Sequence, residues 1–463
     1  MTAAVPAARV ASSRFGRGMV RGALVTVGVR MLDLPSRYGF HLLVAAALGV
    51  DQAGRFYVVF STMVALAGFG RLGIDRALTR QVAAALATGV DEVIRPTIMR
   101  AFGAVAVASL AMAALLASGA VLLTGKSDLA GLLVLGALAI IPQNLGAVAA
   151  GALAGLNRVG LSQMIYSWLW PALFCGVALC FGTALTAALI LIAACFTVTA
   201  LVGLILLWWA LRQVGGAGAS PRPPAAPLLR LGLSLFTLEL LQLLIAAAPT
   251  LILGMVAASD AVGRFALAWR IALVTNVVVS AVTGMAVPKF AACDARGDRH
   301  DLARAATHAV GLGVGLGLVP VLAMLALPVP LLGLFGHGYA TGAATLRILA
   351  LGQLIAACFT AMPELLGMTG HTAILRRINM ASALVLLAAT LLLAPAWGSA
   401  GAATATVLAI LVNGGGAAWA AHRSLGIAPL RDLARWLRPG WMRPSTMPAT
   451  PPPQHHAIGN EDK

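Results

Sequence analysis

Apolar runs of about twenty residues recur along the whole 463-residue chain, separated by short segments that hold nearly all of its charge. A run of that length crosses the hydrocarbon core of a bilayer as an α-helix, the form in which one segment satisfies its own backbone polar groups. Composition agrees, with 60% of residues hydrophobic and 10% charged, against about a quarter charged in a soluble domain. The chain is therefore expected to be an all-α polytopic membrane protein. Its twelve approximate spans fall at 22–49, 56–79, 98–123, 129–154, 160–182 and 184–211, and again at 228–257, 265–288, 305–334, 344–366, 379–397 and 400–421.

The net charge of +17 does not indicate nucleic acid, because cations that grip a phosphate backbone cluster on one soluble face and no such face is present. It indicates topology. With the N-terminus placed in the cytoplasm, Arg55, Lys126, Arg264 and Arg347 fall in external loops and Arg30, Arg37 and Arg270 fall within spans. The rest of the 32 Lys and Arg then lie on the cytoplasmic side, where the positive-inside rule requires them. Both termini are expected there, in a bacterial inner membrane. Arg9, Arg14, Arg17 and Arg21 precede a first apolar stretch that itself holds Arg30, Asp33 and Arg37, so the N-terminus reads as an uncleaved span and not a signal peptide. Cys175, Cys180, Cys195, Cys293 and Cys358 form no CxxC or Cys/His pattern, so neither a disulfide framework nor a metal site is expected. No cofactor is called for.

The Gly/Pro-rich segment from Gly215 to Pro224 lies midway and separates six spans from six. An internal repeat supports that division. Asp51-Gln52-Ala53-Gly54-Arg55-Phe56 follows the first span and Asp260-Ala261-Val262-Gly263-Arg264-Phe265 follows the seventh, 209 residues on; the same offset pairs Arg80 with Lys289. An even number of spans per half makes the halves parallel repeats about an axis along the membrane normal, with a cavity between them. The expected organisation is a cytoplasmic segment 1–21, a six-helix lobe 22–212, a linker 213–227, a second six-helix lobe 228–422 and a tail 423–463. That tail begins with an amphipathic stretch, Leu430, Leu433, Trp436 and Leu437 among Arg431, Arg435 and Arg438, and ends in a Pro-rich, polar segment with the composition of disorder.

Function is most visible in the first span, where Arg30, Asp33, Arg37 and His41 recur at spacings of three and four. On a helix they fall within an arc of roughly 80° over about 16 Å. Ionisable groups at bilayer depth face a wet cavity or a partner. One reading is a local clasp of Asp33 by Arg30 and Arg37 that fixes packing; the other is a cavity wall. Two cations and a histidine exceed what one carboxylate compensates, which favours the wall. Pro35, inside the stripe, is expected to kink or loosen the helix. The repeat offset maps Arg30 onto Glu239 and Asp33 onto Gln242 in the seventh span, so Glu239 is a candidate counter-charge, gate or ion site. Arg270 either adds a third cavity cation or snorkels to the outer interface; Glu364 reads as interfacial. Gly125-Lys126-Ser127 lacks the first glycine of a phosphate loop, since Ala stands at 120. The glycines at 311, 313, 315 and 317 read as helix-packing positions.

Several longer stretches carry a resemblance. "LGVDQAGRFYVVFSTMVALAGFGRLGIDRALTRQVA" (48–83), "LILGMVAASDAVGRFALAWRIALV" with "VPKFAACDARGD", "LFGHGYATGAATLRILALG" (334–352), "GMTGHTAILRR" (367–377) and "WGSAGAATATVLAILVNG" (397–414) resemble helix segments of the polysaccharide and O-antigen flippase branch of the multidrug/oligosaccharidyl-lipid/polysaccharide exporter superfamily. The resemblance implies a V-shaped, two-lobed transporter, not an enzyme, with helices 1, 2, 7 and 8 around the cavity and alternating access as its mode. It further implies a polyprenyl-pyrophosphate-linked oligosaccharide as cargo, with membrane lipid, a coupling ion (H+ or Na+) and polysaccharide-assembly proteins as partners. Arg30, Arg37, Arg270 and His41 are then the substrate-binding cations, and Asp33 and Glu239 the counter-charges or ion-coupling groups. A drug exporter of the same fold would want an anionic or aromatic cavity. A glycan polymerase or ligase would need catalytic carboxylates or a large external loop, whereas the external loops hold only Asp51, Asp128 and Asp260.

Overall fold

A computed structural model describes residues 7–124, 128–182, 184–213 and 225–427. Within the helices some side chains, those of Arg30 and Glu239 among them, lie outside the described residues, as do most of the linker and the tail from residue 428. The described residues form helices and no strand: α1 (Ala7–Arg71), α2 (Ile74–Thr88), α3 (Ile94–Thr124), α4 (Asp128–Gly155), α5 (Val159–Gln163), α6 (Leu169–Phe181), α7 (Leu185–Arg212), α8 (Ala225–Val256), α9 (Ser259–Ala295), α10 (Arg299–Ala326), α11 (Pro328–Gly333), α12 (His337–Ala340), α13 (Ala343–Phe359), α14 (Ala361–Met368) and α15 (Thr372–Leu425). A π-turn over Met164–Trp168 joins α5 to α6.

At 1.5 Å per residue the 54 residues of α15 would run about 80 Å if straight, against a hydrocarbon core of about 30 Å. Gly398 (φ 53°, ψ −129°) breaks α15 into two arms, and Gly49 (φ 69°, ψ 176°) does the same for α1. Both sit in backbone regions that side chains with a Cβ resist. Among the described residues, nine helical stretches are long and apolar enough to cross a membrane. Two of those are the kinked ones, each supplying two arms, and α8 supplies one more, so the twelve expected spans are accounted for. Large side chains turned outward, such as Phe181, Met255 and Leu122, are more than 80% exposed, as lipid-facing positions are.

Boundaries differ from the sequence reading in instructive ways. The hexapeptides at 51–56 and 260–265, read as loops, begin helices instead: each Asp/Arg pair closes across one helical turn, Arg55 Nε to Asp51 Oδ2 at 3.4 Å and Arg264 Nη1 to Asp260 Oδ2 at 2.8 Å. The external connections shrink accordingly, to Gly49 and to Ala257–Ala258. Helix α1 already starts at Ala7, and the second span ends at Arg71, where Leu72 (φ 52°) and Gly73 (φ 65°) turn the chain into α2. Pro35 leaves helical dihedrals undisturbed, so the expected kink falls at Gly49.

In the first half α4 packs against α2, α3 and α7; in the second, α10 packs against α9 and α13, and α13 also against α9 and α15. The repeat appears in the contacts between halves. A Cβ on Gly54 would lie 1.7 Å from the Ser259 carbonyl oxygen, and one on Gly263 would lie 2.0 Å from the Val50 carbonyl oxygen. The offset of 209 carries Gly54 onto Gly263 and Val50 onto Ser259, so the same contact occurs twice, once in each direction. That is the signature of an approximate two-fold axis running between α1 and α9. At this end one core serves both halves, joining Phe40, Phe56 and Phe174 to Phe265, Leu332 and Leu346. At the opposite end each half has its own core, around Ile74, Ile98, Leu153 and Leu207 in one and Phe290, Leu302, Leu365 and Leu425 in the other. The start of α8 still touches the first half there, with Gly232 against Gly73.

Candidate functional site

Between the halves lies a cavity of about 600 Å3. It is lined by α1 on one side and by α8 and α9 on the other, and it extends into the first half, where Gln143 of α4, Tyr166 and Trp170 around the π-turn, and Phe196 and Thr199 of α7 complete the wall. The resemblance implied helices 1, 2, 7 and 8; helices 4 to 6 of the first half contribute as well.

Three of the residues singled out from the sequence meet here. Arg37 and His41 reach the cavity from α1, and Arg270 reaches it from α9. Arg37 also accepts the alternative reading in part, since its Nε lies 2.7 Å from Asp33 Oδ1 one turn away. The pair is not sealed off: 46% of the Arg37 side chain and 26% of the Asp33 side chain remain exposed. Asp33 itself is not part of the cavity wall, and the side chains of Arg30 and Glu239 lie outside the described residues. Glu364 is on the first turn of α14, away from this cavity. Arg270 lines the cavity instead of reaching for the outer interface.

Arg71 is the cation that sequence reasoning missed. It ends α1, is 7% exposed and lines the same cavity. The available signal was its position inside the apolar run 56–79, where a cation at a helix end is read by default as interfacial. The aromatic wall was missed too: Trp170 and Phe196 lie 4.8 Å apart between centroids, and Phe40 sets its edge against Trp170 at 5.0 Å.

Two features define the chemistry. No Asp or Glu lines the cavity among the described residues, so Arg71 and Arg270, with Arg37 partly compensated by Asp33, give it a positive bias, and His41 adds a polar ring. Four lining residues also hold buried polar atoms with no hydrogen-bond partner among the described residues: Arg270 Nε, His41 Nδ1, Gln143 Oε1 and Thr199 Oγ1. Each such atom costs about 1–3 kcal/mol in a dry site. A polar or hydrated occupant removes that cost.

Helices in two related halves around a central cavity define a polytopic membrane protein. The chain belongs to the family of polysaccharide biosynthesis proteins, whose family model matches residues 19–293. No curated protein sequence matches significantly. Among solved structures, the chain is similar to the lipid II flippase MurJ in an inward closed conformation (TM-score 0.70, 13% identity, covering 90% of this chain and 89% of that one). It is similar to a multidrug resistance MATE family transporter of the MOP superfamily in an inward-facing conformation (0.68, 14%, 90% and 100%). A MOP superfamily transporter from Pyrococcus furiosus, described as having a binding pocket of reversed polarity, also matches (0.58, 14%, 86% and 91%). At these identities the likeness is one of fold.

Proposed function

We propose that this protein moves a polyprenyl-diphosphate-linked oligosaccharide from the cytoplasmic to the external leaflet of a bacterial inner membrane, for surface or exported polysaccharide. The observation that carries the reading is the buried Nε of Arg270, which has no hydrogen-bond partner among the described residues, on a cavity wall that also holds Arg37 and Arg71 and no carboxylate among its described residues. A guanidinium holds a phosphate bidentately, and a cation at bilayer depth costs about 2.5–3.5 kcal/mol on an insertion scale. A diphosphate offsets that cost, whereas a cationic drug adds to it, so charge disfavours the drug-exporter reading although the aromatic wall of Phe40, Trp170 and Phe196 is of the kind a drug would use. Family membership fits the same cargo class.

In this reading the two lobes, 22–212 and 228–422, rock about the axis between Gly54 and Gly263, and the linker and tail stay in the cytoplasm. The end with separate cores carries Arg80, Arg95, Arg158 and Arg212 on one half and Lys289, Arg299, Arg376 and Arg423 on the other, so the positive-inside rule makes it the cytoplasmic end. The cavity then loads from inside while the end that shares one core holds the outside shut. A proton or sodium ion at Asp33 or Glu239, or the membrane potential, supplies the drive.

The test uses proteoliposomes loaded with a fluorescent polyprenyl-diphosphate oligosaccharide. Arg270→Gln and Arg71→Gln are each expected to lower the flipping rate at least tenfold, the scale of one lost charge-assisted hydrogen-bonded contact. Wild-type rates in both variants would refute the clamp.

A further inference from the structure

A second cavity of about 290 Å3 lies in the other half, among α8, α9, α13, α14 and α15. It shares Ile245, Ala246 and Trp269 with the arginine-lined cavity, so the two open onto the same stretch of α8 and α9. Their chemistries differ. Among the described residues no ionisable side chain lines the second cavity, yet it holds Asn276, Thr360, Ser382, Thr406 and Asn413 at a depth where polar side chains are costly.

The hydrogen bonds show what this wall has left to offer. Ser382 Oγ donates to the Ala409 carbonyl at 2.8 Å, Thr406 Oγ1 to the Ala402 carbonyl at 2.8 Å, and Asn413 Nδ2 to Asn379 Oδ1 at 2.7 Å. Thr360 pairs with Thr283 at 2.9 Å. These bonds occupy the hydroxyl protons and one amide proton of Asn413 and leave oxygen lone pairs unused. Asn276 is exposed and makes no hydrogen bond to a described residue, so its carboxamide can both donate and accept. An occupant that suits the set is uncharged, carries several O–H donors and has an apolar face to lay on Trp269. A lipid chain would leave the polar groups unmatched, and a cation would find no carboxylate among the lining residues.

We propose that this cavity is the sugar subsite, receiving the uncharged proximal sugars of the cargo while the diphosphate sits among the arginines. The assignment rests on the transport reading above. Specificity for the glycan then resides in the second half and affinity for the carrier in the central cavity, with Trp269 at the junction.

The test compares binding of two lipids, a bare polyprenyl diphosphate and the same lipid carrying a neutral oligosaccharide, to the full-length protein in nanodiscs. Wild type is expected to bind the glycan-bearing lipid about tenfold more tightly, the worth of one or two neutral hydrogen bonds. Asn276→Leu, at a position with no internal hydrogen bond to lose, is expected to remove most of that difference and to leave the affinity for the bare lipid unchanged. Asn413→Leu provides a second variant. Equal binding of both lipids by wild type, or a difference that survives in both variants, overturns the sugar subsite while leaving the clamp standing. Sodium binding that disappears with Asn276→Leu, without a glycan effect, overturns it in favour of a cation site. Failure of wild type to bind either lipid removes the clamp itself, and the subsite with it.

Discussion

Asp33 and Arg37 are bonded to each other one helical turn apart and are both partly exposed, so their pair contributes at most about 1 kcal/mol to stability. Its larger effect is on charge, because Asp33 neutralises a guanidinium that also lines the cavity. Asp33→Asn is therefore expected to leave the melting temperature within a few degrees of wild type while tightening the binding of a bare polyprenyl diphosphate. Arg37→Gln is expected to weaken that binding. Calorimetry with the two variants reads both quantities, and weaker binding in Asp33→Asn would show that the carboxylate positions Arg37 more than it competes for it. The stripe holding this pair was legible in the sequence because its residues lie on one helix, and helical spacing alone puts them on one face. Arg71, Gln143 and Trp170 were not legible, because they reach the cavity from the second arm of α1, from α4 and from α6. In a bilayer the usual guide fails as well: a lipid-facing side and a core-facing side are both apolar, so amphipathicity does not say which way a helix turns.

Among the elements, the crossing of α1 and α9 admits the least change. A methyl on Gly54 or Gly263 meets a backbone carbonyl of the partner helix, and backbone cannot step aside as the tip of a side chain can. Gly54→Ala and Gly263→Ala are expected to destabilise the protein by a similar amount, roughly 1–3 kcal/mol, since the repeat makes them equivalent. Gly176→Ala is the control: no atom lies within 4 Å of its added Cβ, and Ala is the better helix former, so a neutral or slightly stabilising effect is expected. Thermal unfolding in detergent distinguishes these outcomes, and a harmless Gly263→Ala would mean that the helices are held further apart than the structure places them. The duplicated hexapeptide revealed the repeat, but not that its glycines meet. A Gly-Arg dipeptide after an apolar run reads as a loop, and only the partner helix shows that the glycine is needed for close approach. Likewise the twelve spans were legible from hydropathy, whereas the break at Leu72–Gly73 was not, because the apolar pattern runs straight through it.

At the scale of the whole molecule, the packing is lopsided along the membrane normal: one core holds both halves together at the Gly54 end, and two cores keep them apart at the other. In the proposed transport cycle the shared core must part between the halves while each half keeps its own. The connection between α10 and α13 adds a tie across that seam, for Tyr339 on α12 donates its hydroxyl to the Ala45 carbonyl on α1 at 3.1 Å, 294 residues away in sequence. The α3–α4 connection of the first half is only a few residues long, and among the described residues that half has no counterpart of α11 and α12. The tie therefore stabilises the joined state without a counterpart in the opposite state. Removing the hydroxyl keeps the ring and its packing, so Tyr339→Phe should lose about 1 kcal/mol of preference for the joined state, a shift of about fivefold in the ratio of the two populations. Spin labels at Leu122→Cys and Leu334→Cys, both highly exposed positions near that end, report the separation on a cysteine-free background. A longer-distance population that grows in Tyr339→Phe is the expected result, and an unchanged distribution would place the control of opening in the glycine crossing alone.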